Sequence, residues 1–276
     1  MVPKTNESDT DSEVMAINGL NVHRSGKLVL EDVSFSIKSG EFVGIVGPNG
    51  GGKTTLLLTI LGILQATSGK IEVFGRNPYP TDFKGRVGWV SQTAANIPTK
   101  MRMTVKELIT MGTVSRIEIF RRDSLEKRKK VLEAMELTGM SELADKDISR
   151  LSGGQRQRAV IGRALASDAE VLIFDEPLVN VDRYARSGIL KLLDTLCHEQ
   201  NKTLILVSHD MTAIRQSVHR VIYLDEQILF DGLPDELPDI IQLAEQRGIE
   251  NVHSPSTPTS VAISTTTSGQ QSEELE

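Results

Sequence analysis

Hydrophobic and polar residues alternate along residues 14–22 and again along 27–37, the period-two pattern of paired strands with one face in water. Lys38-Ser39-Gly40 then turns the chain, and Phe42–Val46 is a short apolar run of the kind a buried strand requires. Glycines crowd residues 47–52, and Lys53-Thr54-Thr55 opens a leucine-rich stretch that predicts a helix. Residues 66–69 break that pattern, KIEVF at 70–74 alternates again, and RVGWVS at 86–91 predicts a further strand ending at Gln92. From Thr104 to about Gly139 the period becomes helical, in VKELITMG and LEKRKKVLEAMELTGM. EVLIF at 170–174 and TLILVS at 203–208 predict buried strands on either side of a helix over 183–197. Two closing strands follow at 218–224 and 227–230, with a short helix at roughly 240–246. Buried strands alternating with helices place the chain in the α/β class.

Composition bounds this picture. A chain of 276 residues with 39% hydrophobic content can bury one substantial core, with room for a satellite subdomain. The net charge of −6 argues against nucleic acid as a partner held by the whole surface. The only cysteine, Cys197, rules out an internal disulfide and fits a reducing compartment. No apolar run approaches the ~18–20 residues that span a bilayer. The opening MVPKTNESDTDSE lacks the apolar core of a signal peptide. The expectation is a cytosolic chain whose membrane role comes through a partner. Residues 1–13 and the Ser/Thr-rich 247–276 are expected to be disordered tails around a folded 14–246. The Arg- and Lys-rich segment 116–130 is a solvated helix face, or more sharply a face near anionic lipid headgroups.

The chemistry concentrates in a few places. Strand, then G-x-x-x-x-G-K-T, then helix is the setting of a phosphate-binding loop, and a chance match in a chain this long is roughly a one-in-a-hundred event from average residue usage. Gly47, Pro48, Asn49, Gly50, Gly51 and Gly52 let successive N–H groups turn inward around phosphates at a helix N-terminus. Lys53 then reaches the β- and γ-phosphates, and the Thr54 hydroxyl is a ligand for Mg²⁺. Asp175-Glu176-Pro177 puts two carboxylates at a strand end, where Asp175 would hold Mg²⁺ and Glu176 would orient and deprotonate an attacking water. His209 ends the next buried strand, at the edge where parallel sheets bind ligands, while His23, His198, His219 and His253 have the look of surface or packing residues. Gln92 ends a strand too, so its amide would face the metal or the attacking water. LSGGQ at 151–155 opens a helix with Ser152, Gly153, Gly154 and Gln155, a second phosphate cradle without a lysine. Capping explains its serine but not its glycine pair and glutamine. A cradle without its own lysine suits another molecule's nucleotide.

In this order and spacing the motifs resemble the nucleotide-binding subunit of ATP-binding-cassette (ABC) transporters, over residues 14–246. The resemblance implies a P-loop NTPase fold, with a RecA-like parallel core, an antiparallel β subdomain for the base and a helical signature subdomain at about 93–166. It implies a second copy of the chain, paired head to tail so that each ATP lies between one subunit's residues 47–55, ending at Thr55, and the partner's signature. Gln92 would then serve catalysis and the metal alike, Asp182 would be the D-loop aspartate, and His209 the switch histidine. It further implies ATP and Mg²⁺, in-line attack of water, a separate permease, an extracytoplasmic substrate-binding protein, and a place on the cytoplasmic face of the membrane. ITMG at 109–112, IFRR at 119–122 and the run ending in LSGGQ are similar to zinc, manganese and iron importers. A siderophore or cobalamin cargo, or a soluble ABC ATPase, is the alternative. Two departures stand out. Leu178-Val179-Asn180 replaces the family's Phe-Ala-Gly, and Arg24, beside His23, stands where an aromatic ring usually stacks on adenine. A guanidinium plane can stack as well.

Overall fold

The computed structural model describes residues 12–79, 85–96, 102–113, 125–179 and 181–238. The short helix expected at 240–246, both tails apart from residues 12 and 13, IFRR and Asn180 lie outside the described residues. β1 (Glu13–Arg24) and β2 (Lys27–Lys38) form the antiparallel hairpin that the alternation predicts. Ser25 and Gly26 close it with φ of 50° and 79°. A two-residue turn with both residues left-handed matches the twist of the flanking strands. The chain continues through β3 (Phe42–Val46), α1 (Lys53–Ile60), β4 (Ser68–Val73), β5 (Val87–Val90), α2 (Val105–Thr110) and α3 (Leu125–Leu137). Then come α4 (Gly153–Leu165), β6 (Val171–Asp175), α5 (Arg183–His198), β7 (Thr203–Val207), α6 (Met211–Arg215), β8 (Arg220–Asp225) and β9 (Gln227–Gly232).

The described strands divide between two sheets. β4 adds to the free edge of β1, giving an antiparallel sheet in the order β2-β1-β4. The other sheet runs β5-β6-β7-β3-β8-β9, parallel except for β9, which turns back along β8. Every residue of β3, β6 and β7 is buried. The reason lies in the two cores. Phe42 and Val46 of β3 face a core shared with α4 and α5, while Val43 and Ile45 face a core shared with α1 and the antiparallel sheet. A strand covered on both faces has no polar side to show, so its sequence is apolar throughout. Gly44 allows α6 to press close, since a Cβ there would meet Ile214 Cγ2 at 2.9 Å.

The helical region packs beside this sheet. α2 begins at a capping box, where Thr104 Oγ1 accepts from the Glu107 N–H and Glu107 returns the bond to the Thr104 N–H. α2, α3 and α4 bury Val105, Leu108, Ile109, Val131, Met135 and Ile161 against one another. α2 and α4 cross closely at Gly162, where a Cβ would stand 3.0 Å from Ile109 Cδ1. The consequence for function is positional. Three neighbouring strands, β6, β7 and β3, all end at one edge of the sheet, and each ends in a motif the sequence had marked. Ligands of open parallel sheets bind outside the carboxyl ends of the strands.

Candidate nucleotide site

The loop after β3 is built to run close to its neighbours. Gly47 has φ of 151°, and a Cβ there would lie 1.9 Å from the Leu224 carbonyl oxygen. Gly52 has φ of 91°, and a Cβ there would strike Leu30 Cδ2 at 2.4 Å. No larger residue fits either position without moving a strand. Gly52 is also the N-cap of α1 and supplies no side-chain cap, so the capping position leaves the first N–H groups of that helix to other partners. Lys53 is buried beside them, its ammonium donating to the carbonyls of Gly47 and Pro48, both at 2.8 Å. Burial lowers the Lys53 pKa from its ordinary value, and the charges of Glu176, Asp175 and Asp225 work against that shift.

A cleft of about 300 Å³ opens over this loop. Asn49, Gly50, Gly52, Lys53, Thr54 and Thr55 line it from the loop side, and Gln92, Asp175, Glu176 and His209 from the strand ends. Asp175 is buried, and that burial raises its pKa first; the neighbouring Glu176 charge adds to the shift and Lys53 offsets part of it. Glu176 sits at φ of 52°, a left-handed backbone that costs a non-glycine residue energy and is concentrated at working sites. Its N–H donates to the Val207 carbonyl at 2.9 Å, which ties the residue to the end of β7. Its carboxylate lies 2.9 Å from His209 Nδ1 and 3.5 Å from Ser208 Oγ. With that carboxylate ionised, Nδ1 carries the proton of a neutral His209 ring and Nε2 is left as an acceptor.

Other marked residues stand outside this lining. Arg24 is exposed at the end of β1; Val29, on the partner strand of the hairpin, is the residue that borders the cleft. His23 is tied to Thr67 Oγ1 through its N–H at 3.0 Å and its ring at 3.3 Å. Ser152, Gly153, Gly154 and Gln155 start α4, and Asp182 caps α5 by accepting from the Ala185 N–H at 2.9 Å. Capping accounts for more of the signature than its serine, contrary to the sequence argument. Ser152 Oγ accepts from the Gln155 N–H and Gln155 Oε1 accepts from the Ser152 N–H, a reciprocal box that employs the glutamine as well. Gly154 has a packing reason, since a Cβ there would lie 2.4 Å from Ala185 Cβ. The two helix starts are therefore adjacent.

Sequence reasoning missed one connection. Arg186 on α5 pairs with Asp210, which also caps α6 by accepting from the Ala213 N–H. This ties the helix that Asp182 opens to the residue after His209. Nothing local in the sequence signals the pair, because its members come from different elements. Val29 and Val179 also line the cleft, and apolar residues in a strand or turn carry no chemical signature.

Phosphate loop, paired carboxylates and strand-end histidine on one parallel sheet define a P-loop ATPase cassette. The ABC transporter family profile matches residues 30–179, and the chain belongs to that family. It is 34% identical over 248 residues to the zinc uptake system ATP-binding protein ZurA of Listeria innocua, covering 87% of this chain and 96% of that protein. It is 30% identical over 223 residues to the manganese transport system ATP-binding protein MntA of Synechocystis sp., covering 80% and 85%. Among solved structures, a dimeric bacterial ABC transporter cassette matches with a TM-score of 0.67 at 27% identity, covering 80% of this chain and 98% of that one. This chain is accordingly an ATP-binding ABC ATPase. Among the described residues no helix is long and apolar enough to cross a membrane.

Proposed function

We propose that this chain hydrolyses ATP to drive import of zinc or manganese through a separate permease. It would work as a two-fold dimer on the cytoplasmic face of the membrane, fed by an extracytoplasmic substrate-binding protein. The observation that carries the chemistry is the meeting of Lys53, Thr54, Gln92, Asp175, Glu176 and His209 around one cleft. The cargo rests on the relatives, which are named for zinc and manganese transport.

Lys53 would exchange the carbonyls of Gly47 and Pro48 for phosphate oxygens, bringing its charge to the β- and γ-phosphates. The N–H groups of the loop and of α1 hold the remaining phosphate oxygens. The Thr54 hydroxyl, the Asp175 carboxylate and the Gln92 amide oxygen form an all-oxygen donor set at the same cleft, which suits Mg²⁺. When bound, that ion neutralises charge developing on the phosphates. Glu176 takes the proton of the attacking water, its carboxylate steadied by His209 Nδ1. With its Nδ1 proton kept by Glu176, His209 would donate to the γ-phosphate only when Nε2 carries a proton as well, and the ring then serves both partners.

Glu176→Gln keeps the shape of the cleft and removes the base. The purified variant should bind ATP as the wild type does while turnover falls by ~10²–10⁴-fold, the usual contribution of general-base catalysis. In the native cell the same substitution should lower zinc or manganese accumulation to the level of a strain lacking the chain. Near-normal turnover overturns the role of Glu176. Normal accumulation of both metals in the deletion strain overturns the cargo and leaves the ATPase assignment standing.

A further inference from the structure

Three residues that the nucleotide chemistry does not use stand together at the other end of the sheet. Cys197 and His198 close α5, and His219 lies immediately before β8. All three therefore sit at the amino ends of the parallel strands, the length of β3 away from the P-loop, or about 15 Å at the usual strand rise. The sequence alone gave His198 and His219 no more than surface or packing roles; folding brings them beside the only cysteine. One ligand atom from each of the three lies within 4.8 Å of the others.

The spacing is that of a metal site. The two imidazole Nε2 atoms are 3.2 Å apart. Two nitrogens held tetrahedrally by one zinc at the usual bond length would stand about 3.3 Å apart. Asp194, one turn earlier on α5, lies 3.1 Å from His198 Nδ1 through its carboxylate and 3.1 Å through its carbonyl. An acceptor at Nδ1 fixes the tautomer that leaves Nε2 available, as carboxylates commonly do behind metal-binding histidines. Cys197 is buried with its Sγ 3.3 Å from the Gly40 carbonyl, while both imidazoles are exposed, so the cluster has an entry path. The competing account is a hydrogen-bonded histidine pair, whose rings meet edge to face with centroids 5.0 Å apart. It makes no use of the thiol.

We propose that Cys197, His198 and His219 form a binding site for a zinc-class divalent ion, separate from the nucleotide cleft. Thiolate with imidazole selects such an ion, whereas Mg²⁺ and Ca²⁺ prefer oxygen. The ligand set alone carries this, whatever ion the permease passes. The Phe42 N–H donates to His219 Nδ1 at 3.3 Å, so His219 Nε2 holds the ring proton and donates it to His198 Nε2. The metal takes the place of that shared proton. His219 keeps one proton by shifting it to Nδ1, and the Phe42 N–H loses its acceptor. Cys197 releases its thiol proton to solvent, against a pKa that burial, together with the Asp194 charge, has pushed up to about 11. Because Phe42 begins the strand that leads into the P-loop, occupancy reaches the base of β3.

Cobalt(II) titrated into the full metal-free chain tests the site. The expected result is one ion per chain, strong visible bands of tetrahedral cobalt and a thiolate-to-cobalt charge-transfer band in the near ultraviolet, all removed by one equivalent of zinc. Cys197→Ser should lose the charge-transfer band, and Asp194→Asn should weaken zinc binding by ~10–100-fold. Cobalt held in the nucleotide cleft would have no sulfur ligand and no such band. The proposal fails if the wild type shows only the weak bands of octahedral cobalt, or if Cys197→Ser gives the wild-type spectrum. Should that variant not fold, His219→Ala at its exposed position decides instead, and an unchanged spectrum there overturns the site.

Discussion

Asp175 and Lys53 share a cleft whose burial works against both of their charges, and that conflict has a measurable consequence. Burial raises the Asp175 pKa above its ordinary 3.8, with Glu176 adding to the shift. A carboxyl group whose pKa is higher in the folded chain binds its proton more tightly there. Its ionised form therefore destabilises the fold, with no penalty below the unfolded value, a growing one as pH climbs to the folded value, and the full penalty above it. Asp175→Asn should accordingly raise the melting temperature of the nucleotide-free protein at neutral pH, and the gain should shrink to nothing as pH falls below about 3.8. Hydrolysis should fall in the same variant. A lower melting temperature at neutral pH would mean that attraction to Lys53 outweighs burial. At this scale the placement was largely legible: Lys53, Thr54, Asp175, Glu176 and His209, the residues marked from the sequence for phosphate and metal chemistry, all border the cleft. Illegible were the left-handed backbone of Glu176 and the Glu176–His209 contact, which exist only once β6 and β7 lie side by side.

At the scale of elements, the signature and Asp182 perform structural work that any account of their chemistry must first subtract. Ser152 and Gln155 close the N-terminus of α4, Asp182 closes that of α5, and Gly154 lets the two helix starts touch. The serine cap was read from the sequence and the glutamine's half of the box was not, although S-x-x-Q before a helix is its usual form. The packing of Gly154 on Ala185 was not legible, because residues so far apart in sequence carry no mutual pattern. The cap and the proposed contact across a dimer can be separated at Asp182. Asp182→Ala removes the cap and should destabilise the chain by ~0.5–2 kcal/mol, whereas Asp182→Ser keeps a hydroxyl cap and should lose only a small part of that. Chemical denaturation reads both. If Asp182 acts across a dimer, the serine variant will be stable yet slow in ATP hydrolysis. If it is a cap alone, the serine variant will hydrolyse ATP like the wild type.

For the whole molecule, the sheet order decides what one chain can do alone. The period-two and apolar runs foretold the strands, and the alternation of strand and helix foretold a parallel sheet. The order β5-β6-β7-β3-β8-β9 was beyond reach of pattern, since pairing between β3 and β7 depends on contacts across most of the chain. That order puts the phosphate loop, the carboxylates and His209 on one edge, while the signature opens a helix whose residues do not line the same cleft. A two-fold dimer would offer each cleft the partner's signature and so create two equivalent sites. Lys53→Ala breaks the loop of its own subunit, and Ser152→Arg, at an exposed position, breaks the signature it lends to the other. Each homodimer then lacks both sites, but the mixed dimer pairs an intact loop with an intact signature once. Random pairing of equal amounts makes half the dimers mixed, each with one working site of two, so a mixture of independent sites should recover about a quarter of wild-type ATPase activity. Sites that fire only together would recover none, and so would sites that are not shared; contact between the nucleotide and the other subunit's signature separates these. Shared sites hold the nucleotide of one subunit against the signature of the other, and crosslinking Ser152→Cys to a thiol-reactive ATP analogue on the other subunit reports that contact. Labelling confined to the subunit that holds the nucleotide would overturn the shared site.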